Sequence, residues 1–194
     1  MCSGTDSFDI ALAAENTDIC EAMFDGDPAD PNAQSKLDFT QTLAFQNFYL
    51  DQNAFSHQFS DIDDNAIRQI TRDRDFFTLF DFSAKWDVVP SMLTQNHDKV
   101  IKGFLGLTTA YNKSKIKPGV IIMGEMTTNN EARYIHGDYG KGQWTFYSGH
   151  DPEDYQHAVS DPPTDLKLHP NSPGYRLILN NVLFPSAHKK KQKT

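Results

Sequence analysis

Gly119-Val120-Ile121-Ile122-Met123-Gly124 is a short, unbroken apolar run, as expected of a strand buried on both faces. Two further apolar segments follow, Ala132 to Ile135 and Gln143 to Tyr147. They flank Gly137-Asp138-Tyr139-Gly140-Lys141-Gly142, a turn-rich stretch that predicts an antiparallel hairpin. The second hairpin strand ends in Ser148-Gly149-His150-Asp151-Pro152-Glu153-Asp154, the most site-like stretch of the chain. A polar excursion with Pro152, Pro162, Pro163 and Pro170 comes next. Then Ser172 caps a helix with Pro173 in its first turn, whose apolar face is Tyr175, Ile178, Leu179, Val182 and Leu183, stopped by Pro185. A strand that delivers a His-bearing loop and then a closing helix builds a site at a sheet edge.

Working outward, Phe76-Phe77-Thr78-Leu79-Phe80-Asp81-Phe82 predicts another buried strand. Leu43, Phe45, Phe55 and Phe59 suggest short strands or irregular aromatic packing, and the charged stretch from Asp61 to Asp75 a surface segment with a short helix from Ala66 to Ile70. Near the start, residues 6–15 predict a helix capped by Asp6, with Asp9 three residues on, and a face of Phe8, Ala11, Leu12 and Ala14. Asp25 to Pro31 is a turn-rich loop. Five carboxylates lie between Asp18 and Asp30, but the ligand spacing of an EF-hand with its terminal Glu is absent.

The 194 residues suit one domain, and 38% hydrophobic residues, with fourteen Phe, support a packed core. A formal charge of −8 argues against a nucleic-acid partner, which needs a positive footprint. The basic run Lys189, Lys190, Lys191 and Lys193 reads as a solvated, disordered tail over 188–194. No apolar run reaches the roughly eighteen residues of a membrane span, and the first residues lack the pattern of a signal peptide. The default compartment is the cytoplasm, or a secreted or periplasmic one if an amino-terminal segment carrying a signal peptide is missing.

Two cysteines, Cys2 and Cys20, make neither a disulfide framework nor a CxxC metal site. Cys20 reads as a small buried hydrophobe. His136, His150, His157 and His169 include no His-x3-His pair, so neither a metal nor another cofactor is expected. Alternation sets Trp144 and Tyr147 on opposite faces of their strand. Cys2-Ser3-Gly4 leads into the first helix, and a thiol at a helix N-terminus sits near the positive end of the dipole, which favours the thiolate. A nucleophile elbow also needs a strand before the thiol. The expectation is therefore of a domain whose first strands are missing, with a sheet edge exposed to self-association.

The stretch Met1 to Ile10 resembles the nucleophile-elbow region of class I glutamine-amidotransferase-like proteins. Gly140 to Glu153 is similar to the final strand and His loop of the ThuA (trehalose-utilisation) branch of that superfamily. Gly149 to His157 and His169 to Arg176 resemble the carboxy-terminal part of a bacterial family commonly labelled asparagine synthetase B. The resemblance implies an α/β fold over residues 1–187, part of a doubly wound, flavodoxin-like sheet with the hairpin and closing helix added. It implies Cys2 as nucleophile, His150 as its base, and Glu153 or Asp151 as the orienting carboxylate. The superfamily's His-Pro-Glu order is here His150-Asp151-Pro152-Glu153, one residue longer. Ser3, Gly4, Gly149, Tyr155 and His157 are the implied ligand-binding residues.

Three functions are expected in turn. The first is a thiol-dependent hydrolase or amide transferase. The second is a non-catalytic pocket for a carbohydrate or other small ligand, and the third is glutamine-hydrolysing asparagine synthesis. For the last, Ser3-Gly4-Thr5-Asp6-Ser7 is one glycine short of the Ser-Gly-Gly-x-Asp-Ser phosphate loop and overlaps the Cys2 motif, whereas the synthetase uses the two in separate domains.

Overall fold

The computed structural model describes residues 1–53, 59–63, 75–80, 98–104, 106, 110–153 and 160–183. The protein mixes helix and strand around one curled sheet. Strands β1 (Phe76–Leu79), β2 (Val100–Lys102), β3 (Tyr111–Asn112), β4 (Ile121–Met126), β5 (Glu131–Tyr139) and β6 (Gly142–Tyr147) run in the order β2-β1-β4-β5-β3, with β6 also on β5. β4 takes one edge of β5; β3 and β6 share the other, end to end. Helices α1 (Ser3–Ala13), α2 (Ala22–Asp25), α3 (Ala33–Lys36) and α4 (Pro173–Leu183) complete the elements, with 3₁₀ turns at Lys113–Lys115 and Leu166–Leu168. Among the described residues no helix is long and apolar enough to cross a membrane.

The hairpin and the closing helix stand where the sequence puts them. The β5–β6 turn passes through Gly140 at φ 59°, a left-handed conformation that glycine adopts without a Cβ clash. Ser172 Oγ accepts the Tyr175 N–H at 3.3 Å, so it caps α4. All described pairings of the sheet are antiparallel, where a doubly wound architecture needs parallel pairs. The strands joined by the tight β5–β6 turn have no room for a crossover helix between them.

Two apolar clusters lie on opposite faces of the sheet. One gathers Phe77, Ile101, Phe104, Met123, Tyr134 and Tyr147 under Leu177 of α4. The other joins Ile10 and Ala13 of α1 to Phe45, Phe48, Ile62 and Ile135, with Trp144 packed against it. Trp144 and Tyr147 thus take opposite faces, as alternation requires. Phe45 touches Ile116 through a single bridge rather than a strand, so the aromatic packing before β1 is irregular.

Between β4 and β5 the register slips twice, with Met123 the extra residue on one strand and Arg133 on the other. The paired bulges restore the register after two residues. They also turn Ala132 and Tyr134 to opposite faces, although strict alternation would put them on the same one.

Several sequence expectations need correction. α1 does not bury Phe8, Ala11 and Leu12. It buries Thr5, Asp6, Asp9, Ile10 and Ala13, while Phe8 is 49% exposed. The reason is Asp9, whose carboxylate accepts the backbone N–H groups of Leu43, Ala44 and Phe45 at 2.7–2.8 Å. This irregular segment has donors to satisfy, and a carboxylate on the helix satisfies three at once. Asp6, expected as the cap, is likewise inside the helix and buried. The buried face of α4 is Gly174, Leu177 and Asn180 rather than the expected one, and Leu179, Val182 and Leu183 are exposed. Asn181 docks this helix through Tyr134, Tyr147 and Thr145, so hydrogen bonds to the sheet set its rotation. β1 alternates, with Phe77 and Leu79 buried and Phe76 and Phe80 exposed, and β4 is only partly covered. Cys20 is exposed. Phe55, Ala66 to Ile70, Asp81, Phe82, Pro185 and the basic tail lie outside the described residues.

Candidate functional site

Cys2 stands at the N-cap of α1 with φ 57° and ψ −149°. That conformation borders a region that essentially only glycine occupies, and holding a side chain there costs on the order of 1–3 kcal/mol. What holds it is the end of β6. The Cys2 N–H reaches both Tyr147 O and Gly149 O, each at 3.0 Å. The thiol does not serve as a cap for the helix. The first turn is instead tied by Thr5, whose N–H and hydroxyl both donate to Cys2 O, at 3.0 and 2.7 Å, while the hydroxyl also meets Tyr111 OH at 2.9 Å.

Gly106, in the loop after β2, gives the position of the thiol against the imidazole. A Cβ placed on Gly106 would stand 2.6 Å from Cys2 Sγ and 3.0 Å from His150 Cδ2. Both atoms therefore border one point, and their separation cannot exceed the sum of those distances. The structure brings Cys2 and His150 together across almost the whole chain, and only a glycine at position 106 leaves space beside them.

The loop after β2 is pressed against the strand end that carries His150. A Cβ on Gly149 would come within 1.4 Å of Phe104 O, so no other residue fits without parting the two backbones. Arg133, the bulge residue, fixes this contact from below. It is fully buried. Its Nε donates to Ser148 Oγ at 2.8 Å, and its Nη2 to Asp75 Oδ1 at 2.8 Å, Phe104 O at 3.0 Å and Gly103 O at 3.4 Å. The guanidinium thus joins the start of β1, the loop after β2 and the end of β6. Burial raises the Asp75 carboxyl above its ordinary value despite the Arg133 charge, and Asp75 Oδ2 has no hydrogen-bond partner. Composition and periodicity gave no sign of Arg133. An arginine in the middle of a strand pattern was the one available signal.

The other expected site residues are placed as follows. Asp151 accepts the Thr164 hydroxyl at 2.7 Å and the Tyr175 hydroxyl, and its Oδ1 takes the Glu153 N–H at 3.2 Å. Burial and the Asp151 bond push the Tyr175 hydroxyl up to about 12. Glu153 lies 3.7 Å from His169 Nδ1. Asp151 and Glu153 are thus engaged by the closing segment, from Thr164 to Tyr175. Ser3 and Gly4 form the first turn of α1, and Gly4 is exposed with open space where a side chain would be. The phosphate-loop-like stretch Ser3 to Ser7 is helical, with Thr5 and Asp6 buried, so it forms no open cradle. Tyr155 and His157 lie outside the described residues.

His136 is buried in β5 against Thr145 Oγ1 at 3.0 Å, and desolvation lowers its pKa. Among the described residues the grouping with metal-ligand geometry is Asp18, Cys20 and Asp25, all exposed; no His joins it. No family model matches the chain, and no curated protein or solved structure is significantly similar to it.

Proposed function

We propose that the protein is a thiol-dependent hydrolase or amide transferase in which Cys2 is the nucleophile and His150 its base. The observation that carries this reading is the strained Cys2 backbone at the start of α1, with its thiol beside the His150 ring. Strain of this kind persists where surrounding structure over-determines it, and such residues cluster at active sites. The thiol stands at a helix N-terminus, and the imidazole that borders the same point as its sulfur is the group to accept its proton.

In this mechanism His150 takes the thiol proton and the sulfur attacks the carbonyl carbon of an amide, forming the S–C bond. The developing oxyanion meets the first-turn N–H groups of Ser3 and Gly4, which have no acceptor within the helix. Collapse breaks the C–N bond, and His150 returns its proton to the leaving nitrogen. Water then attacks the thioester, giving the acid and restoring the thiol; an amine in its place gives transfer. The same reading keeps the kinship to class I amidotransferase-like, ThuA-like proteins at the level of these Cys and His motifs. The doubly wound sheet of that superfamily belongs to the proposal alone.

The chain carries its own control. Partial desolvation, then the charges of Asp25 and Asp18, push the Cys20 thiol above its ordinary value. With iodoacetamide near neutral pH, Cys2 should alkylate about tenfold faster than Cys20 or more, read by peptide mass spectrometry. His150→Ala should bring Cys2 down to the rate of Cys20, and Cys2→Ala should abolish ammonia release from any amide that the protein hydrolyses. Equal rates for the two thiols in the unsubstituted protein would sink the proposal.

A further inference from the structure

A second concavity lies away from Cys2 and His150. It has a volume of about 710 Å³, within the range of small-molecule sites, and one wall is the Ser7, Ile10 and Ala11 stripe of α1. The rest of the lining is largely apolar, with Ile19, Phe24, Ala29, Pro31, Leu50 and Phe59 around it. Phe24 is 66% exposed and Phe59 40%, so two aromatic side chains are kept at this opening at a hydration cost.

The charged residues of its described lining are all acidic. Glu21, Asp30 and Asp51 line the cavity, and no Lys, Arg or His is among its described lining residues. Asp30 is neutralised by Lys36. Glu21 and Asp51 have no cationic partner among the described residues: Asp51 Oδ1 takes only the Asn53 N–H, at 2.9 Å. Asp18 and Asp25 stand next to Cys20, outside the lining itself, and their carboxylates take backbone N–H groups from Cys20 and Asp27. The half-buried Gln34 side chain in the lining is already satisfied by Phe48 O and the Leu50 N–H, and the carboxylates of Glu21 and Asp51 are exposed.

We infer that this cavity binds a small organic cation with an apolar body, of the alkyl- or aryl-ammonium class. The apolar body would replace water against Ile10, Leu50 and the two Phe side chains. The cationic head would remain at the mouth beside Glu21 and Asp51, where a hydrated lining carboxylate gains a partner without being buried. A neutral lipid-like ligand would fill the same space but leave the charges unanswered, and an anion would be repelled.

The probes are a series of alkyl- and aryl-trimethylammonium ions, each paired with the neutral analogue in which carbon replaces the nitrogen. Cys20 lines the cavity and supplies a local readout. The cations should bind saturably in calorimetry and slow Cys20 alkylation while leaving the Cys2 rate unchanged. The neutral analogues should bind about tenfold more weakly, the difference that two exposed carboxylates support. The double variant Glu21→Gln, Asp51→Asn replaces exposed groups, so it should fold with an unchanged Tm and erase the difference between cation and analogue. Phe24→Ala should weaken both. The inference is overturned if no cation of the series protects Cys20, if the neutral analogues bind as tightly, or if the double variant binds cations undiminished. None of these outcomes depends on Cys2 being a nucleophile.

Discussion

Replacing Arg133 by Met keeps an unbranched apolar stem and removes the guanidinium with its charge. The immediate consequence is a carboxylate, Asp75, buried with neither oxygen on a cation, since Oδ2 has no partner even in the intact protein. Breaking a buried pair in this way costs about 3–5 kcal/mol. For a chain of this length that corresponds to a fall in Tm of roughly 6–20 °C. The two backbone carbonyls of the loop after β2 and the Ser148 hydroxyl lose their shared donor at the same time. Adding Asp75→Leu removes the stranded charge, so the double variant should regain most of the loss.

The pH dependence follows from the direction of the Asp75 shift. Burial raises its folded-state value, so the native state holds the proton more tightly than the unfolded chain. Its contribution to stability is present below the unfolded carboxyl range and is lost as pH rises through the folded value. Without Arg133 the shift is larger. The gap between wild type and Arg133→Met should therefore be smallest in acid and widen between about pH 4 and 7. Urea unfolding followed by far-UV circular dichroism, repeated across that range, measures all of this. A single variant that loses less than about 1 kcal/mol, a double variant no better than the single, or a gap flat with pH would refute the reasoning.

Asp9→Ala leaves the N–H groups of Leu43, Ala44 and Phe45 without an acceptor, and the two in buried residues, Ala44 and Phe45, are each worth about 1–3 kcal/mol. Because desolvation also raises Asp9 itself, part of that is returned, and the expected net loss in urea unfolding is about 3 kcal/mol. Gly149→Ala forces the backbone of β6 away from Phe104 O; the chain should lose stability in thermal melts and Cys2 should fall to the alkylation rate of Cys20.

The hairpin and the closing helix were legible because each is a local property: glycine at a left-handed turn, Ser-Pro at a helix start, alternation in between. Residue chemistry singled out Cys2 and His150 as candidates, and the structure sets both side chains against Gly106. Three other features were not legible, and in each a polar group does work that apolar periodicity assigns to hydrocarbons. Asp9 turns α1 by binding loop amides, Asn181 turns α4 by binding Tyr134 and Tyr147, and Arg133 occupies a bulge that alternation cannot anticipate. Cys20 misled for the opposite reason. Its apolar neighbours in sequence, Ile19, Ala22 and Met23, do not enclose it, and it faces a cavity instead. The antiparallel pairing of the strands outside the hairpin escaped because a short apolar run such as Gly119 to Met123 serves either kind of sheet.

Cys2 and His150 are separated by nearly the entire described chain, yet share a boundary at Gly106. A contact between such remote residues comes only after the intervening segments have taken their places, because loop-closure entropy must be met before the contact rewards it. An incompletely folded chain therefore carries Cys2 with neither the helix N-terminus nor the imidazole beside it. Under the mechanism proposed above, the alkylation rate of Cys2 is for that reason a gauge of maturation: it marks the fraction of molecules in which these two remote residues have met.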